Sequence, residues 1–242
     1  MLRRDLKVKY QRSLLGFVWT LVNPILVSLL LITVFSFVVR IALEGYWAFL
    51  LSGYFAWNFT QQCIGAASAT FQEHAPLRRN VAFPVEILVL SAALSRLVEF
   101  MVELIVVLAL VCYFHHGSLP ISLSLLPVVI FIQVLVALGL MFPLSVLSVL
   151  FHDVQHAMPT ITLSLFYISP ILYPVDFVPE AALPWFFINP LVIPLELFHQ
   201  IVYDGEIPPI SSLIFAFGAS TLFFSIGYFI FRIFKNECIE TA

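Results

Sequence analysis

Charge is scarce in this sequence, and so are the motifs with which proteins bind nucleotides or catalyse hydrolysis. Only 10% of the 242 residues are charged, whereas 62% are hydrophobic. No glycine is followed by lysine, so a phosphate-binding loop of the usual G-x-x-x-x-G-K-[ST] form is excluded. No Ser-His-Asp or paired-carboxylate arrangement stands out either. We therefore expect no enzymatic activity from this chain, and any nucleotide hydrolysis that drives it must come from a partner.

Cysteines and metal-ligand patterns are also few. Cys63, Cys112 and Cys238 are odd in number and far apart, so neither a disulfide framework nor a metal cluster is predicted. His152 and His156 have the spacing of a zinc-binding helix, but aspartate follows the first and no third ligand is evident. We expect no metal and no resident cofactor. The first apolar run is too long for a removable signal peptide.

Long apolar runs make up most of what remains. A mean hydropathy of +1.05 lies far outside the range of soluble proteins and indicates an integral membrane protein with several spans. We expect an all-α membrane protein that forms a single transmembrane domain over residues 1–242. Six transmembrane helices are predicted, at about 14–39, 47–71, 85–114, 122–150, 157–173 and 210–234.

The N-terminal segment 1–13 is basic and amphipathic. Apolar residues recur every four positions between the charges, at Leu2, Leu6, Tyr10 and Leu14, as in a helix that lies in the membrane interface. Such a helix either anchors the N-terminus in the cytosol or also contacts a cytosolic partner. The polar residues 72–84 leave the same two alternatives open, a connector or a contact for a peripheral protein.

Lysine and arginine lie almost entirely on one side of the predicted membrane. External segments hold only Arg40. Cytosolic segments hold Arg3, Arg4, Lys7, Lys9, Arg12, Arg78, Arg79, Arg232 and Lys235. Because cytosolic loops of membrane proteins are enriched in these residues, we expect six spans with both termini in the cytosol. A seventh span through 181–203 would place the C-terminal basic residues outside.

Prolines interrupt the apolar stretch 151–209 repeatedly, and each removes a backbone donor. In lipid, irregular backbone is tolerated only where it is buried in protein or lines a wet cavity. We interpret residues 174–209 as an external segment that handles the substrate, hereafter the external segment, with two short re-entrant helices at about 181–189 and 191–203. Its charged residues are all acidic, which favours the outer face.

Aromatic residues are concentrated at the predicted outer end. The residues that we expect to form a substrate path or gate are Phe166, Tyr167, Tyr173, Phe177, Trp185, Phe186 and Phe187. Sugar rings present C–H faces that stack on aromatic planes, which favours a glycan as the substrate. The alternative is an interfacial aromatic belt, which many membrane proteins have.

Three charged residues lie inside the third predicted span. Arg96, Glu99 and Glu103 are three and four positions apart, so they share one helix face. Charges at membrane depth usually face protein or water. The cluster is either an internal ion pair, a polar lining of the pathway or a proton relay.

Six motifs follow one another along nearly the whole chain: RRDLKVKYQRSLLGFVWTLVNPIL (3–26), NVAFPVEIL (80–88), FHDV (151–154), SPILYP (169–174), INPL (188–191) and YDGEIP (203–208). In order and spacing they resemble the motifs of the ABC-2 type permeases that export bacterial polysaccharides, which include the O-antigen, capsule and teichoic-acid exporters. The resemblance implies that residues 174–209 are the outward gate. His152 departs from the family pattern, which commonly has arginine there.

The resemblance implies a permease subunit that moves a lipid-linked polysaccharide across the bacterial cytoplasmic (inner) membrane. It further implies a homodimer and two ATP-binding cassette ATPase subunits, which bind ATP and Mg, with no nucleic-acid partner. Nucleotide-driven motion would reach this chain through Arg3, Arg4, Lys7, Lys9, Arg78 and Arg79. The alternatives are an ABC-2 permease for drugs or small lipids, and an ion-coupled carrier or membrane enzyme built on the charge cluster.

Overall fold

A computed structural model of the chain describes residues 18–73, 85–114 and 119–241. All regular structure within these ranges is helical, which confirms the all-α prediction for them. The helices are α1 (Trp19–Thr33), α2 (Tyr46–Glu73), α3 (Glu86–Phe114), α4 (Leu126–Leu150), α5 (His152–Ile168), α6 (Leu183–Phe186), α7 (Val192–Phe198) and α8 (Ile210–Thr241). Helices α1 and α7 continue as π-helical turns, Val34–Val39 and His199–Asp204, and a 3₁₀ turn, Ile121–Leu125, precedes α4.

Helix α5 differs most from its predicted span. It lies about five residues earlier than 157–173, and it contains Pro159 without being broken by it. The helix ends before Pro170, where Ser169 adopts extended dihedral angles (φ −95°, ψ 152°). A proline disfavours the helical conformation of the residue before it, which explains this end. At the other end of the chain, α8 extends seven residues beyond the predicted boundary of 234.

Much of the bundle surface is apolar, as expected for a protein in lipid. Within the described ranges, three helical stretches are long and apolar enough to cross a membrane: Leu21–Val39, Ile121–Leu150 and Ile210–Cys238. Large apolar side chains such as Phe37 and Phe229 are exposed on them. Outward-facing apolar surface of this extent requires lipid or another protein. The chain is therefore a membrane protein.

Consecutive long helices run in alternating directions. Lys235 Nζ donates to Glu86 Oε1 over 2.7 Å, which joins the C-terminal end of α8 to the start of α3. We call this side of the bundle the Lys235 end. On the opposite side, the Tyr46 hydroxyl at the start of α2 donates to the Leu172 carbonyl over 2.9 Å. Because the π-helical turn that begins at His199 also lies there, we call it the His199 end.

Helix α2 forms the centre of the bundle. Its residues Leu50, Phe55 and Phe59 are buried, and the Phe59 ring stacks on Phe100 of α3 with centroids 5.2 Å apart. A buried amide, Gln133 of α4, donates to α2 at Thr60 Oγ1 over 2.6 Å. Polar bonds of this kind hold apolar helices together in the membrane.

Two glycines bring α4 and α8 into backbone contact. A Cβ atom at Gly227 would lie 2.1 Å from the carbonyl oxygen of Gly139. A Cβ atom at Gly139 would in turn lie 2.6 Å from the Phe223 ring. Small residues at such a crossing allow the close approach on which helix association in lipid depends.

Candidate functional site

A polar cleft of about 640 Å³ opens between α1, α2 and α5. Its polar and aromatic lining consists of Asn23, Tyr54, Trp57, Asn58, Gln61, Ser68, Gln155, Thr162 and Phe166. The residues that α2 contributes recur every three or four positions, so they form one face of that helix. Amide and hydroxyl groups at membrane depth face protein or water rather than lipid. We call this feature the polar cleft.

Aromatic and amide groups lie side by side on its wall. Trp57 Nε1 donates to Gln61 Oε1 over 3.1 Å, and the Trp57 and Phe166 rings are tilted with centroids 5.9 Å apart. Pro159 also lines the cleft and has no N–H to donate to the Gln155 carbonyl one turn before it. Hydrogen-bonding groups beside a flat apolar surface match the two kinds of surface on a sugar.

The three charged residues of α3 lie within the bundle rather than on the cleft lining. Arg96 Nη1 and Glu99 Oε2 form an ion pair of 2.9 Å. Glu103 accepts hydrogen bonds from α2, because Asn58 Nδ2 lies 3.1 Å from both of its carboxylate oxygens. A longer contact of 3.5 Å joins it to Gln62 Nε2. Both glutamates are buried, so the Glu103 carboxylate lies directly behind the Asn58 side of the polar cleft.

The seven aromatic residues predicted to form the path or gate are divided between different places. Phe166 lies in the polar cleft, whereas Tyr173, Phe177 and Phe186 line a second cleft of about 690 Å³ beside Arg40. We call this second one the aromatic cleft. The remaining three, Tyr167, Trp185 and Phe187, are exposed. Contacts nevertheless connect most of them. The Phe166 and Tyr167 rings lie 5.3 Å apart, and the Tyr173 hydroxyl donates to the Tyr167 carbonyl over 2.8 Å. The Phe186 ring lies 6.4 Å from that of Tyr173 and 6.3 Å from that of Phe187.

The motifs of the external segment hold its backbone in place. Asn189 Nδ2, from INPL, donates to Ser169 Oγ, from SPILYP, over 2.9 Å. The same asparagine accepts from the Leu191 amide over 3.1 Å. Gly205, from YDGEIP, ends the π-helical turn with φ 71°, a conformation that favours glycine.

His199 joins the external segment to α2. Its Nε2 lies 2.7 Å from the Pro170 carbonyl and its Nδ1 lies 2.8 Å from Ser52 Oγ. Because a carbonyl oxygen only accepts, Nε2 carries the hydrogen and donates it. The ring is buried and stacks on Phe49 with centroids 3.9 Å apart. Sequence reasoning missed this residue, since its partners lie 29 and 147 positions away.

Replacing Gly53 with alanine should destabilise this junction. The new Cβ would lie 2.7 Å from His199 Cε1, and the two hydrogen bonds prevent the ring from moving away. We expect the free energy of unfolding to fall by about 2 kcal/mol, measured by thermal unfolding in detergent. In a His199→Ala background the same substitution should lower the free energy of unfolding by less than about 0.5 kcal/mol, because the obstructing ring is absent.

Gly65→Ala is the matched control, since nothing lies within 4 Å of a Cβ at that position of the same helix. Equal costs for Gly53→Ala with and without the histidine ring would contradict the proposed contact.

Four carboxylates of the external segment, Asp176, Glu196, Asp204 and Glu206, interact electrostatically and form an acidic rim. Burial raises the pKa of Glu196, and the nearby carboxylates of Asp204 and Asp176 raise it further. Burial also raises the pKa of Asp204, with an additional contribution from Glu206. This rim therefore binds protons more readily than isolated carboxylates would.

Some predicted residues lie outside the described ranges. These are the six basic residues expected to contact the ATPase: Arg3, Arg4, Lys7, Lys9, Arg78 and Arg79. Among the residues that the structure does describe, no three potential metal ligands are close together.

The fold and the cleft together define a membrane transport subunit, because a helical bundle with an apolar outer surface contains an open cleft with polar lining residues. The family follows from the sequence. The profile of the ABC-2 type transporter family matches residues 1–203, and the chain belongs to this family. The resemblance drawn from the ordered motifs is thereby confirmed.

Curated relatives carry names that concern polysaccharide export. The chain is 30% identical over 181 residues to the O-antigen export system permease protein RfbA of Myxococcus xanthus, which covers 74% of this chain and 69% of that protein. A Klebsiella pneumoniae protein of the same name is 29% identical over 180 residues, or 73% and 68% of the two chains. The polysialic acid transport protein KpsM of Escherichia coli is 23% identical over 253 residues, or 99% and 93%.

Proposed function

We propose that this chain is the transmembrane permease subunit of an ABC exporter. Its substrate is a lipid-linked polysaccharide, which it moves from the cytosol to the outer side of the bacterial inner membrane. A separate ATPase subunit binds ATP and Mg and drives the movement. The observation that carries the proposal is the similarity, over about three quarters of the chain, to permeases named for O-antigen export.

The polar cleft supplies a physical route for such a substrate. The exposed Gln61 and the partly buried Asn58 offer amide groups to sugar hydroxyls, and the partly buried Phe166 ring supplies an aromatic surface beside them. Interactions of this kind are individually weak and repeat along a polymer, so a chain of sugars can advance without being held at one point. The aromatic residues near the external segment continue the route and form its gate.

Six helices cross the membrane in this proposal. Helices α2 and α3 have 28 and 29 residues, so each is about 42 Å long or slightly more and exceeds the ~30 Å hydrocarbon core. The alternating helix directions and the short loop at 40–45 support the same count. The Lys235 end is cytosolic because basic residues are enriched on that side, and both termini lie there. Helices α6 and α7 are the re-entrant helices of the outer side.

A second copy of the chain completes the route. Polar side chains of the cleft would otherwise contact lipid along its open side, which is energetically costly. A homodimer encloses them, and two ATPase subunits bind below it. The basic segment 1–13 and the loop 72–84 carry motion from the ATPases to the helices.

Deleting the gene for this chain tests the function directly. We expect long-chain surface glycan to disappear and lipid-linked glycan to accumulate on the cytosolic face of the inner membrane, as measured by extraction and gel analysis. Expression of the wild-type chain restores export. Drug susceptibility should not change. It would change if the chain were instead a permease for drugs or small lipids. Normal surface glycan in the deletion strain would refute the proposal, and a change in drug susceptibility alone would favour the alternative.

A further inference from the structure

We infer that the polar cleft selects uncharged glycan chains and disfavours polyanionic ones. This inference rests on the proposed function and specifies the substrate class. It concerns the side chains that line the cleft, and it attributes the selection to the absence of charge at lining positions such as Gln61.

The first support is the lining itself. Of the described residues that line the polar cleft, none is lysine, arginine, aspartate or glutamate. Polar contact is provided by amide and hydroxyl groups, with Gln61 exposed on the wall and oriented by its bond to Trp57. A neutral lining offers hydrogen bonds to sugar hydroxyls but no cation to replace the water that a carboxylate or phosphate loses on entry.

The second support is the sign of the charges around this lining. The Glu103 carboxylate lies behind Asn58 and is held by its amide, so it contributes negative potential to that wall. The external segment, through which the substrate leaves, contains five carboxylates and no lysine or arginine. An anionic polymer therefore meets no cation among the described residues of the polar cleft. On leaving it, the polymer passes the five carboxylates of the external segment and Arg40 beside the aromatic cleft, so negative charge predominates there, whereas a neutral polymer is unaffected by either.

The test compares two oligosaccharides that differ only in charge. Hexagalacturonic acid and its fully methyl-esterified form share length and linkage, but only the first is anionic at neutral pH. The full chain is placed in phosphatidylcholine nanodiscs at an ionic strength of about 0.15 M, and binding is titrated by saturation-transfer NMR. We expect the affinity for the ester to be at least about ten times the affinity for the acid.

Two variants locate the effect in the cleft. Gln61→Lys should raise the affinity for the acid relative to that for the ester by about tenfold, because it adds a cation to the lining. Gln61→Met loses the same hydrogen bond without adding charge, so the ratio of the two affinities should stay at its wild-type value.

Equal binding of acid and ester, binding of neither, or no response to Gln61→Lys would each overturn the inference. These outcomes are distinct from failure of the proposed function. A permease without charge selection would still lose surface glycan when its gene is deleted, whereas normal export after deletion would remove the function itself.

Discussion

Replacing Gly65 with tryptophan should block polysaccharide export in a subunit that still folds. Gly65 lies on the wall of the polar cleft, and a Cβ atom there would have no neighbour within 4 Å, so the large side chain has room to extend into the cleft. The route is then filled by an indole. We expect export to fall by about tenfold or more, because polymer and side chain cannot occupy the same volume. Surface glycan and the amount of membrane-inserted protein are measured together.

Gly218→Trp is the matched control for this blockade. Gly218 lies on α8 and is also exposed, and a Cβ atom there would likewise have no neighbour within 4 Å, but it does not line the cleft. The control should export normally. If Gly65→Trp exported as well as the control at equal protein levels, the substrate would have to take another route.

Replacing Gly227 with leucine should be among the most destabilising single changes in the bundle. Its Cβ would overlap the Gly139 carbonyl at 2.1 Å, so α4 and α8 would have to separate along their contact. We expect the free energy of unfolding to fall by about 3 kcal/mol, the upper range for overpacking. For a chain of this size that corresponds to a melting temperature lower by about 6–12 °C in detergent.

Gly218→Leu places the same side chain on the same helix without a neighbouring atom, and it should leave the melting temperature near the wild-type value. Similar losses for both variants would show that leucine disturbs α8 itself. A wild-type melting temperature for Gly227→Leu would contradict the close approach of the two helices.

The positions of the helices were largely predictable because apolar runs and prolines are local signals. The helical stretch at 121–150 lies within one residue of its predicted start, and α6 and α7 lie within the two predicted re-entrant segments. The first span also ends where it was predicted to end, because the π-helical turn that follows α1 stops at Val39. The left-handed conformation of Arg40, with a φ of 58°, was not predictable, since no local pattern of residues requires it.

The polar cleft was missed for an energetic reason. Attention to charged residues led to Arg96, Glu99 and Glu103, since charges are the most costly groups in a membrane. The lining is instead built from uncharged amides such as Asn58 and Gln61, which an apolar helix accommodates at lower cost. That α1, α2 and α5 meet around them depends on tertiary contacts, which spacing in one sequence does not reveal.

The junction at His199 has a mechanical consequence. The His199 ring, which belongs to the external segment, is hydrogen-bonded to Ser52 of α2, so the two would move as a single lever. Helix α2 has 28 residues and a length of about 42 Å, hence a tilt of about 5° around its Lys235 end displaces the far tip by about 4 Å. A small push delivered from the cytosol would thus be amplified, without any bending of the helix, into a displacement wide enough to separate a pair of stacked aromatic rings.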